Sequence, residues 1–324
     1  MAKQNIHKLT QSFQHPLGIS VVIPLYNEEE SLQELTLQIQ KALKSESFEI
    51  IFVDDGSDDH SWKKIELLSE ENSFVKGIKL RMNYGKSSAL QAGFDAAGGK
   101  YIVTMDADLQ DDPFEIPEMI KSLKAGSDLV SGWKKVRHDP ITKRIPSRFF
   151  NAVTRWSTGI QLHDFNCGLK AYRREVVENI DLYGELHRYV PLLAKWQGFG
   201  NIEEKEVKHH PRKYGKTKFG ISRFMNGFLD LLTLLFVNRY RNQPMHFFGT
   251  AGVVFTVIGF LINIYIAALK LVWNEPIGNR PLFFLGILLV VIGVQFFSIG
   301  FLGELINRSS ERKFKPNIET KRGL

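Results

Sequence analysis

Two long uncharged stretches constrain the fold of this chain more than any other feature. Phe247–Leu269 and Pro281–Gly303 each run for 23 residues without a charged side chain. At a rise of about 1.5 Å per residue, a helix of that length crosses the roughly 30 Å hydrocarbon core of a bilayer. A pair of buried core helices is the alternative, but helices of globular proteins seldom run so long without a charge on any face. The stretches therefore predict transmembrane helices at residues 246–272 and 281–304.

The distribution of basic residues predicts how these helices are oriented. The loop between them carries only Lys270 and Arg280, whereas nine Lys or Arg residues lie within 205–241 and six within the tail 305–324. Basic residues favour the cytoplasmic side of a membrane. We therefore expect an integral membrane protein with both termini and the preceding domain in the cytoplasm and the loop Trp273–Asn279 outside.

The segment before the first uncharged stretch has the pattern of a helix that lies in a membrane surface. Within Ile221–Val237, polar side chains recur every three or four residues while the other face is apolar. A helix packed on a soluble domain has the same pattern, but the membrane span that follows favours the interface. We predict an amphipathic juxtamembrane helix at 221–241. Residues 1–18 are polar and predict an N-terminal tail rather than a secretory signal.

Between residues 19 and 220, short apolar runs alternate with helical patterns. The runs predict five strands, at Ile19–Leu25, Phe48–Asp54, Val75–Leu80, Tyr101–Asp106 and Asp128–Gly132. The intervening sequences predict helices near 28–43, 61–70, 87–97 and 113–124. Buried strands that alternate with helices are typical of a parallel sheet covered on both faces. This part of the chain is therefore predicted to be an α/β domain.

Three polar clusters follow the first, second and fourth predicted strands. They read PLYNEE at residues 24–29, DDGSDD at 54–59 and DADLQ at 106–110. The carboxyl ends of parallel strands meet at one edge of the sheet, where ligands bind. Each cluster alone is compatible with a turn or a helix N-cap, but the convergence of all three favours a binding site.

The third cluster has the composition of a divalent cation site. Asp106 and Asp108 follow a buried strand, where carboxylates are costly to desolvate unless they are paired or bound to a metal. Cations such as Mg²⁺ prefer these oxygen ligands and also bind substrate phosphates. The chain has neither a GxGxxG sequence after the first strand nor a Walker A sequence, so a dinucleotide or P-loop site has no support. The net charge of +7 fits an anionic partner, either phosphate groups or a membrane surface.

The ordered motifs resemble those of the family-2 glycosyltransferases with a GT-A fold. Within that family the chain is most similar to the polyprenyl-phosphate sugar transferases of the dolichyl-phosphate mannose synthase type, over nearly its whole length. The resemblance implies a GT-A catalytic domain at 19–220, Rossmann-like with a mostly parallel sheet, followed by the amphipathic interfacial helix, two transmembrane helices and a basic cytoplasmic tail. It implies inverting transfer of one sugar from a UDP- or GDP-sugar to a polyprenyl phosphate at the cytoplasmic membrane face, with Mg²⁺ or Mn²⁺ as cofactor. The implied partners are the nucleotide-sugar donor, the lipid acceptor and the membrane, with no nucleic acid; a homo-oligomer stays open.

The resemblance also assigns roles to individual residues. Asp164, in DFNCGLKAYRREV, matches the proposed catalytic carboxylate of the family. The residues implied to bind the nucleotide sugar are Pro24, Tyr26, Glu28, Asp54, Asp55, Ser57, Asp106 and Ala107. The implied metal ligands are Asp106, Asp108 and Gln110. The residues implied to bind phosphate groups of donor or acceptor, from KRIPSRFFN and RKYGKTKFG, are Lys143, Ser147, Arg148, Arg212 and Lys218. Thr217 and Lys170 depart from the serine and arginine common at their positions, but they keep the type of chemistry.

Other functions are compatible with parts of the sequence. A processive polysaccharide synthase shares this fold, but it carries a QxxRW motif after the catalytic aspartate and more membrane helices. Here AVTRW, at residues 152–156, has alanine for the glutamine and precedes Asp164. A non-catalytic, membrane-anchored nucleotide-sugar-binding protein is a second alternative, although Asp106, Asp108 and Asp164 are all intact. A soluble sugar nucleotidyltransferase is disfavoured by the apolar stretches and by the missing Gly-rich phosphate loop.

Overall fold

The computed structural model describes the chain in two compact units. The described residues are 17–135, 151–156, 158–211, 213–214, 244–273, 281–309 and 316–324. The first unit combines the N-terminal part of the chain, up to Asp230, with the C-terminal segment Lys313–Leu324, and the second unit is Leu231–Arg312. The chain therefore leaves the first unit, forms the second and returns to the first.

Within the described residues of the first unit, eight strands form one sheet. They are β1 (Ile19–Leu25), β2 (Phe48–Asp54), β3 (Val75–Leu80), β4 (Tyr101–Thr104), β5 (Leu129–Trp133), β6 (Lys170–Arg173), β7 (Ile202–Glu206) and β8 (Ile318–Arg322). Their order across the sheet is β7-β5-β6-β4-β1-β2-β3-β8. The pairs among β1 to β4, and the pair of β5 with β7, are parallel, whereas β6 and β8 run antiparallel to their neighbours. The predicted α/β domain with a mostly parallel sheet is confirmed.

Helices connect the parallel strands and cover the sheet. They are α1 (Leu32–Ala42), α2 (Ser61–Glu71), α3 (Lys86–Ala96), α4 (Ile116–Ala125), α5 (Arg174–Glu178) and α6 (Val190–Trp196), with 3₁₀ turns at Pro113–Glu115 and Leu186–Arg188. Residues 151–156 are also helical. Helix α4 illustrates why these segments are helical: Ile116, Met119, Ile120 and Leu123 are buried at a spacing of three and four residues, so one face packs on the core.

The two central strands fix the edge at which the polar clusters lie. All seven residues of β1 are buried, and so are the last six of β2. Burying this continuous apolar surface is the main favourable term in folding. It holds the carboxyl ends of the strands, Leu25 and Asp54, side by side in parallel register. The loops that follow start from rigid positions.

The second unit contains two long apolar helices, α7 (Pro244–Trp273) and α8 (Pro281–Ser309). Both are long and apolar enough to cross a membrane, by length and composition. Glycines let their backbones approach closely: a Cβ on Gly252 would lie 2.6 Å from the carbonyl oxygen of Gly293. Small residues at such contacts are common between membrane helices. The predicted pair of long apolar helices is confirmed, while the predicted N-terminal tail and amphipathic helix lie outside the described residues, apart from residues 17 and 18.

Candidate active site

The loops after β1 and β2 are joined to each other by hydrogen bonds. The hydroxyl of Tyr26 donates to Oδ2 of Asp58 at 2.8 Å. The N–H of Asn27 donates to Oγ of Ser57 at 2.9 Å, and the N–H of Asp58 donates to Oδ1 of Asn27 at 2.9 Å. Asn27 has a φ of +55°, a left-handed conformation that asparagine tolerates well. Tyr26 and Ser57, two residues predicted to bind the nucleotide, thus lie in one pair of interlocked loops.

Asp54 and Asp55 are buried at the end of β2. Oδ1 of Asp54 accepts the N–H of Ser57 at 2.9 Å. The two oxygens of Asp55 accept the N–H groups of Tyr84 and Gly85 at 2.8 and 2.9 Å. Burial raises the pKa of Asp55 to about 6, although these two N–H groups act in the opposite direction. Burial also raises the pKa of Asp54, so burial disfavours the charged form of both aspartates.

Asp106 lies among lysine side chains just after β4. The ammonium group of Lys86, in the first turn of α3, contacts Oδ1 of Asp106. Partial burial raises the pKa of Asp106, but the positive charges of Lys86, Lys134 and Lys170 outweigh it and hold the pKa below its ordinary value. Asp106 is therefore a carboxylate at any physiological pH.

The acidic motif after β4 has an unusual backbone. Leu109 has a φ of +59°, in the left-handed region that residues other than glycine rarely occupy. Asp108 is buried, and its Oδ1 accepts the N–H of Gln110 at 3.2 Å. Strain of this kind is often concentrated at functional sites.

The oxygen donors of this motif fit a hard divalent cation. In the part of the chain that the structure describes, no three His, Cys, Asp or Glu side chains form a metal cluster. If the predicted ligands Asp106 and Asp108 hold the cation, water and substrate phosphates would complete the ligand set, as is usual for Mg²⁺. The amide nitrogen of Gln110 lies 3.4 Å from the carbonyl oxygen of His210, and its role as a ligand stays a prediction.

The loop that carries Asp164 lies against Asp106. A Cβ added to Gly168 would be 2.6 Å from Oδ2 of Asp106, so only glycine permits this approach. Asp164 is buried, and its Oδ1 accepts the N–H of Asn166 at 3.1 Å. The buried ammonium group of Lys170 donates to the carbonyl oxygen of Phe165 at 3.2 Å. The structure therefore brings the loop of the predicted catalytic carboxylate together with the predicted metal motif.

Sequence reasoning missed several residues of this site. Lys86 begins the helix after β3, and the carboxyl end of β3 lies at the same edge of the sheet. Its place after a predicted parallel strand could therefore have indicated that it lies near the site. Lys134 follows β5 in the same way, and its ammonium group lies 2.6 Å from a carboxylate oxygen of buried Asp111. Cys167 is buried, and burial raises its pKa to about 12, so the thiol stays protonated. The predicted phosphate-binding residues Lys143, Ser147, Arg148, Arg212 and Lys218 lie outside the described residues.

Comparison with known protein families decides the class of this chain. The family model described as glycosyl transferase family 2 matches residues 20–181, which include all three polar clusters at 24–29, 54–59 and 106–110. The chain belongs to glycosyl transferase family 2. It is therefore a glycosyltransferase, as the motifs predicted.

Two relatives of this family-2 glycosyltransferase match it over most of its length. Dodecaprenyl-phosphate galacturonate synthase of Rhizobium johnstonii is 38% identical over 302 residues, which cover 91% of this chain and 89% of that protein. Undecaprenyl-phosphate 4-deoxy-4-formamido-L-arabinose transferase of Proteus mirabilis is 37% identical over 294 residues, which cover 90% and 88%. Both names describe transfer of a sugar to a polyprenyl phosphate.

A solved structure shares the fold of the catalytic domain. Glucosyl-3-phosphoglycerate synthase from Mycobacterium tuberculosis, in complex with Mn²⁺ and UDP-glucose, matches with a TM-score of 0.53 and 20% identity. The match covers 68% of this chain and 78% of that one. At this identity the likeness shows the fold alone, and it confirms the predicted GT-A fold.

Proposed function

We propose that this glycosyltransferase transfers one sugar, with inversion, from a nucleotide sugar to a polyprenyl phosphate. The main structural support for this proposal is the close approach of Gly168 to Asp106, because it brings the acidic motif after β4 against the loop of Asp164. The acidic motif is suited to a diphosphate leaving group, and the loop of Asp164 is suited to an acceptor. The lipid acceptor is supported by the names of two relatives that match about nine-tenths of the chain.

The donor half of the proposed site is the edge formed by the loops after β1, β2 and β4. Tyr26 and Ser57 would contact base and ribose, and the buried carboxylate of Asp55 would accept an N–H of the base. Uracil and guanine both offer such an N–H, so UDP- and GDP-sugars are both candidate donors. Asp106 and Asp108 would hold Mg²⁺ or Mn²⁺, which when bound neutralises charge on the leaving diphosphate.

The acceptor half of the proposed site contains Asp164. A phosphate monoester loses its second proton near pH 6, so at pH 7 a polyprenyl phosphate is mostly a dianion and needs little help from a base. We therefore assign Asp164 the orientation of the acceptor phosphate and its counter-charges rather than removal of a proton. Arg212 and Lys218 would add charge-assisted contacts to phosphate oxygens, as would Lys143 and Arg148.

The two apolar helices complete the proposal. They would tether the enzyme in the membrane that contains its lipid acceptor, with the catalytic domain on the cytoplasmic side. Two helices are too few to enclose a growing polysaccharide. One sugar per lipid is therefore the expected stoichiometry.

The test uses the full chain purified in detergent, a panel of radiolabelled UDP- and GDP-sugars, and undecaprenyl phosphate. We expect one donor to transfer label into the organic phase only when the lipid phosphate is present, as a single species. EDTA should stop the reaction and added Mg²⁺ or Mn²⁺ should restore it. Asp108→Asn should be inactive, whereas the matched control Asp95→Asn, an exposed carboxylate on α3, should be normal.

Each alternative predicts a different result. A ladder of longer products would favour the polysaccharide synthase. Donor binding without transfer to any acceptor would favour a non-catalytic binding protein. Equal transfer to a water-soluble phosphate would contradict the lipid acceptor, and full activity in excess EDTA would contradict the metal.

A further inference from the structure

The peptide that joins His163 to Asp164 is held by side chains that are distant in sequence. Oε1 of Glu204, on β7, accepts the N–H of Asp164 at 3.1 Å and the N–H of His163 at 2.7 Å. Nδ2 of Asn151 donates to the carbonyl oxygen of His163 at 2.8 Å. Both polar groups of this peptide are therefore bonded to side chains, so its plane is fixed from two directions.

Glu204 itself is rigidly held. It lies in the middle of β7, in parallel register with Ser131 of β5, and its side chain is only 11% exposed. Its second oxygen, Oε2, lies 2.6 Å from Nδ1 of His163. The imidazole of His163 stacks on the indole of Trp133, with ring centroids 4.3 Å apart and planes 19° from parallel. Glu204 is thus a fixed point of the sheet that reaches the loop before β6.

We propose that Glu204 is a positioning residue for sugar transfer, which orients the carboxylate of Asp164 through the His163–Asp164 peptide. The proposal rests on the function proposed above for Asp164. The side chain of Asp164 starts from this peptide, and its Oδ1 is bonded to the N–H of Asn166 two residues further on. Rotation of the peptide would therefore move the carboxylate as a unit with the turn that follows it.

The physical cost of losing Glu204 falls on the backbone of the loop. Without Oε1, two N–H groups in a partly buried loop lose their acceptor, and the loop gains freedom to turn them toward water. A displacement of about 1 Å at a reacting group can reduce turnover roughly 10²-fold, even when the substituted residue does not touch the substrate. In the proposed function the donor is bound by other loops. We therefore expect the Kd of the nucleotide sugar to stay unchanged when kcat falls.

Single substitutions at Glu204 and at its neighbour Glu203 test this role. Glu204→Ala should lower kcat about 10²-fold and leave the Kd of the nucleotide sugar unchanged. Glu204→Gln keeps the Oε1 acceptor and should retain kcat within a few-fold. Glu203→Ala is the matched control, because Glu203 is adjacent on β7 but exposed and on the opposite face of the strand. Should Glu204→Ala fail to fold, Glu204→Asp, which shortens the side chain by one methylene, should show the same loss of kcat at unchanged Kd.

A double-mutant cycle decides whether Glu204 acts through Asp164. In the Asp164→Asn background, Glu204→Ala should cause no further loss of kcat. Multiplicative losses would overturn the proposal, as would normal turnover of Glu204→Ala or an equal loss of donor affinity. If Asp164→Asn is inactive and Glu204→Ala is normal, only the positioning proposal fails. If Asp164→Asn itself is fully active, the role proposed for Asp164 fails, and positioning fails with it.

Discussion

Asp55 is subject to two opposing demands at the scale of a single residue. It is 5% exposed, which disfavours a negative charge. Yet its oxygens accept the N–H groups of Tyr84 and Gly85, which favours the charge and ties the loop after β2 to the loop after β3. The resulting pKa of about 6 lies close enough to neutrality for titration to be measured.

We predict that donor binding weakens as Asp55 is protonated. The carboxylate is ionised above its pKa of about 6, and protonation below that value removes an acceptor for the base and loosens the hold on Tyr84 and Gly85. The Kd of the nucleotide sugar should be about tenfold higher at pH 5 than at pH 7, measured by titration calorimetry. Asp55→Asn should bind weakly at both pH values, and Asp95→Asn should behave as the unsubstituted protein does. A donor affinity that is independent of pH would contradict the role of Asp55.

The contribution of Asp55 to the stability of the protein should change with pH in the opposite direction. Because the pKa of Asp55 is higher in the folded than in the unfolded chain, the folded state binds more protons between about pH 4 and pH 6. The contribution of Asp55 to the free energy of unfolding is therefore present at low pH and is lost as the pH rises through 6. If low pH simply destabilised the fold, stability and donor binding would instead weaken together.

How far single residues could be predicted depends on where their partners lie. Asp54, Asp55 and Ser57 are neighbours in sequence. Their position at the end of a predicted strand made them recognisable as one cluster. Glu204 carries no such signal, since it acts on a residue 40 positions away through the pairing of β7 with β5. An acidic residue on a partly exposed strand looks like a solvated side chain until the sheet order is known.

Strand β8 shows how an element from the far end of the chain can support the proposed donor site. It pairs antiparallel with β3, and Lys79 forms an ion pair with Glu319 at 3.2 Å. Beyond the strand, the N–H of Arg81 donates to the carbonyl oxygen of Asn317 at 3.1 Å. Tyr84 and Gly85, whose N–H groups hold Asp55, come three and four residues after Arg81. Without β8, strand β3 would be an unpaired edge.

We predict that deletion of residues 316–324 weakens donor binding. Loss of the pairing should free the end of β3 and the loop to Gly85, at a cost of about 1 kcal/mol, which is roughly a fivefold higher Kd for the nucleotide sugar. Deletion of residues 323–324 alone, which follow β8, is the matched control and should bind normally. A lower Tm with an unchanged Kd would restrict β8 to a structural role.

The elements differ in how visible they were in the sequence. The bounds of β1, β2 and β3 match the prediction. β1 and β2 are almost continuously buried, and β3 places buried apolar residues at both ends of VKGIKL, so all three patterns are typical of strands in a covered sheet. Strands β6, β7 and β8 were not predicted, since they are short and rich in charged residues: β7 reads IEEKE and β8 reads IETKR. Such sequences become strands only because an existing sheet offers an edge to pair with. The tail predicted at 305–324 thus contributes to the catalytic domain.

At the scale of the whole molecule, the chain passes from the α/β unit through the helical unit and back. If α7 and α8 both cross a membrane, an even number of crossings returns β8 to the side on which β3 lies. This requirement agrees with the basic residues of the tail, which favour the same side as the catalytic domain. The pairing of β8 with β3 requires one side for both parts of the α/β unit, and the positive charge predicts that this side is the cytoplasm.

We predict that only the loop between α7 and α8 is accessible from outside the cell. The sequence has a single cysteine, and Cys167 is buried with its pKa raised to about 12 by burial, so it reacts poorly with maleimides. New cysteines at Asn279, in the loop, at Ser310, after α8, and at Glu71, on the exposed end of α2, then report sidedness against little background. In sealed right-side-out vesicles, a membrane-impermeant maleimide should label Asn279→Cys but not Ser310→Cys or Glu71→Cys, and detergent should expose all three. Labelling of Ser310→Cys and Glu71→Cys in sealed vesicles would put the catalytic domain outside, away from cytoplasmic nucleotide sugars. Labelling of Ser310→Cys without Glu71→Cys would mean that only one of the two helices crosses, and it would contradict the pairing of β8 with β3.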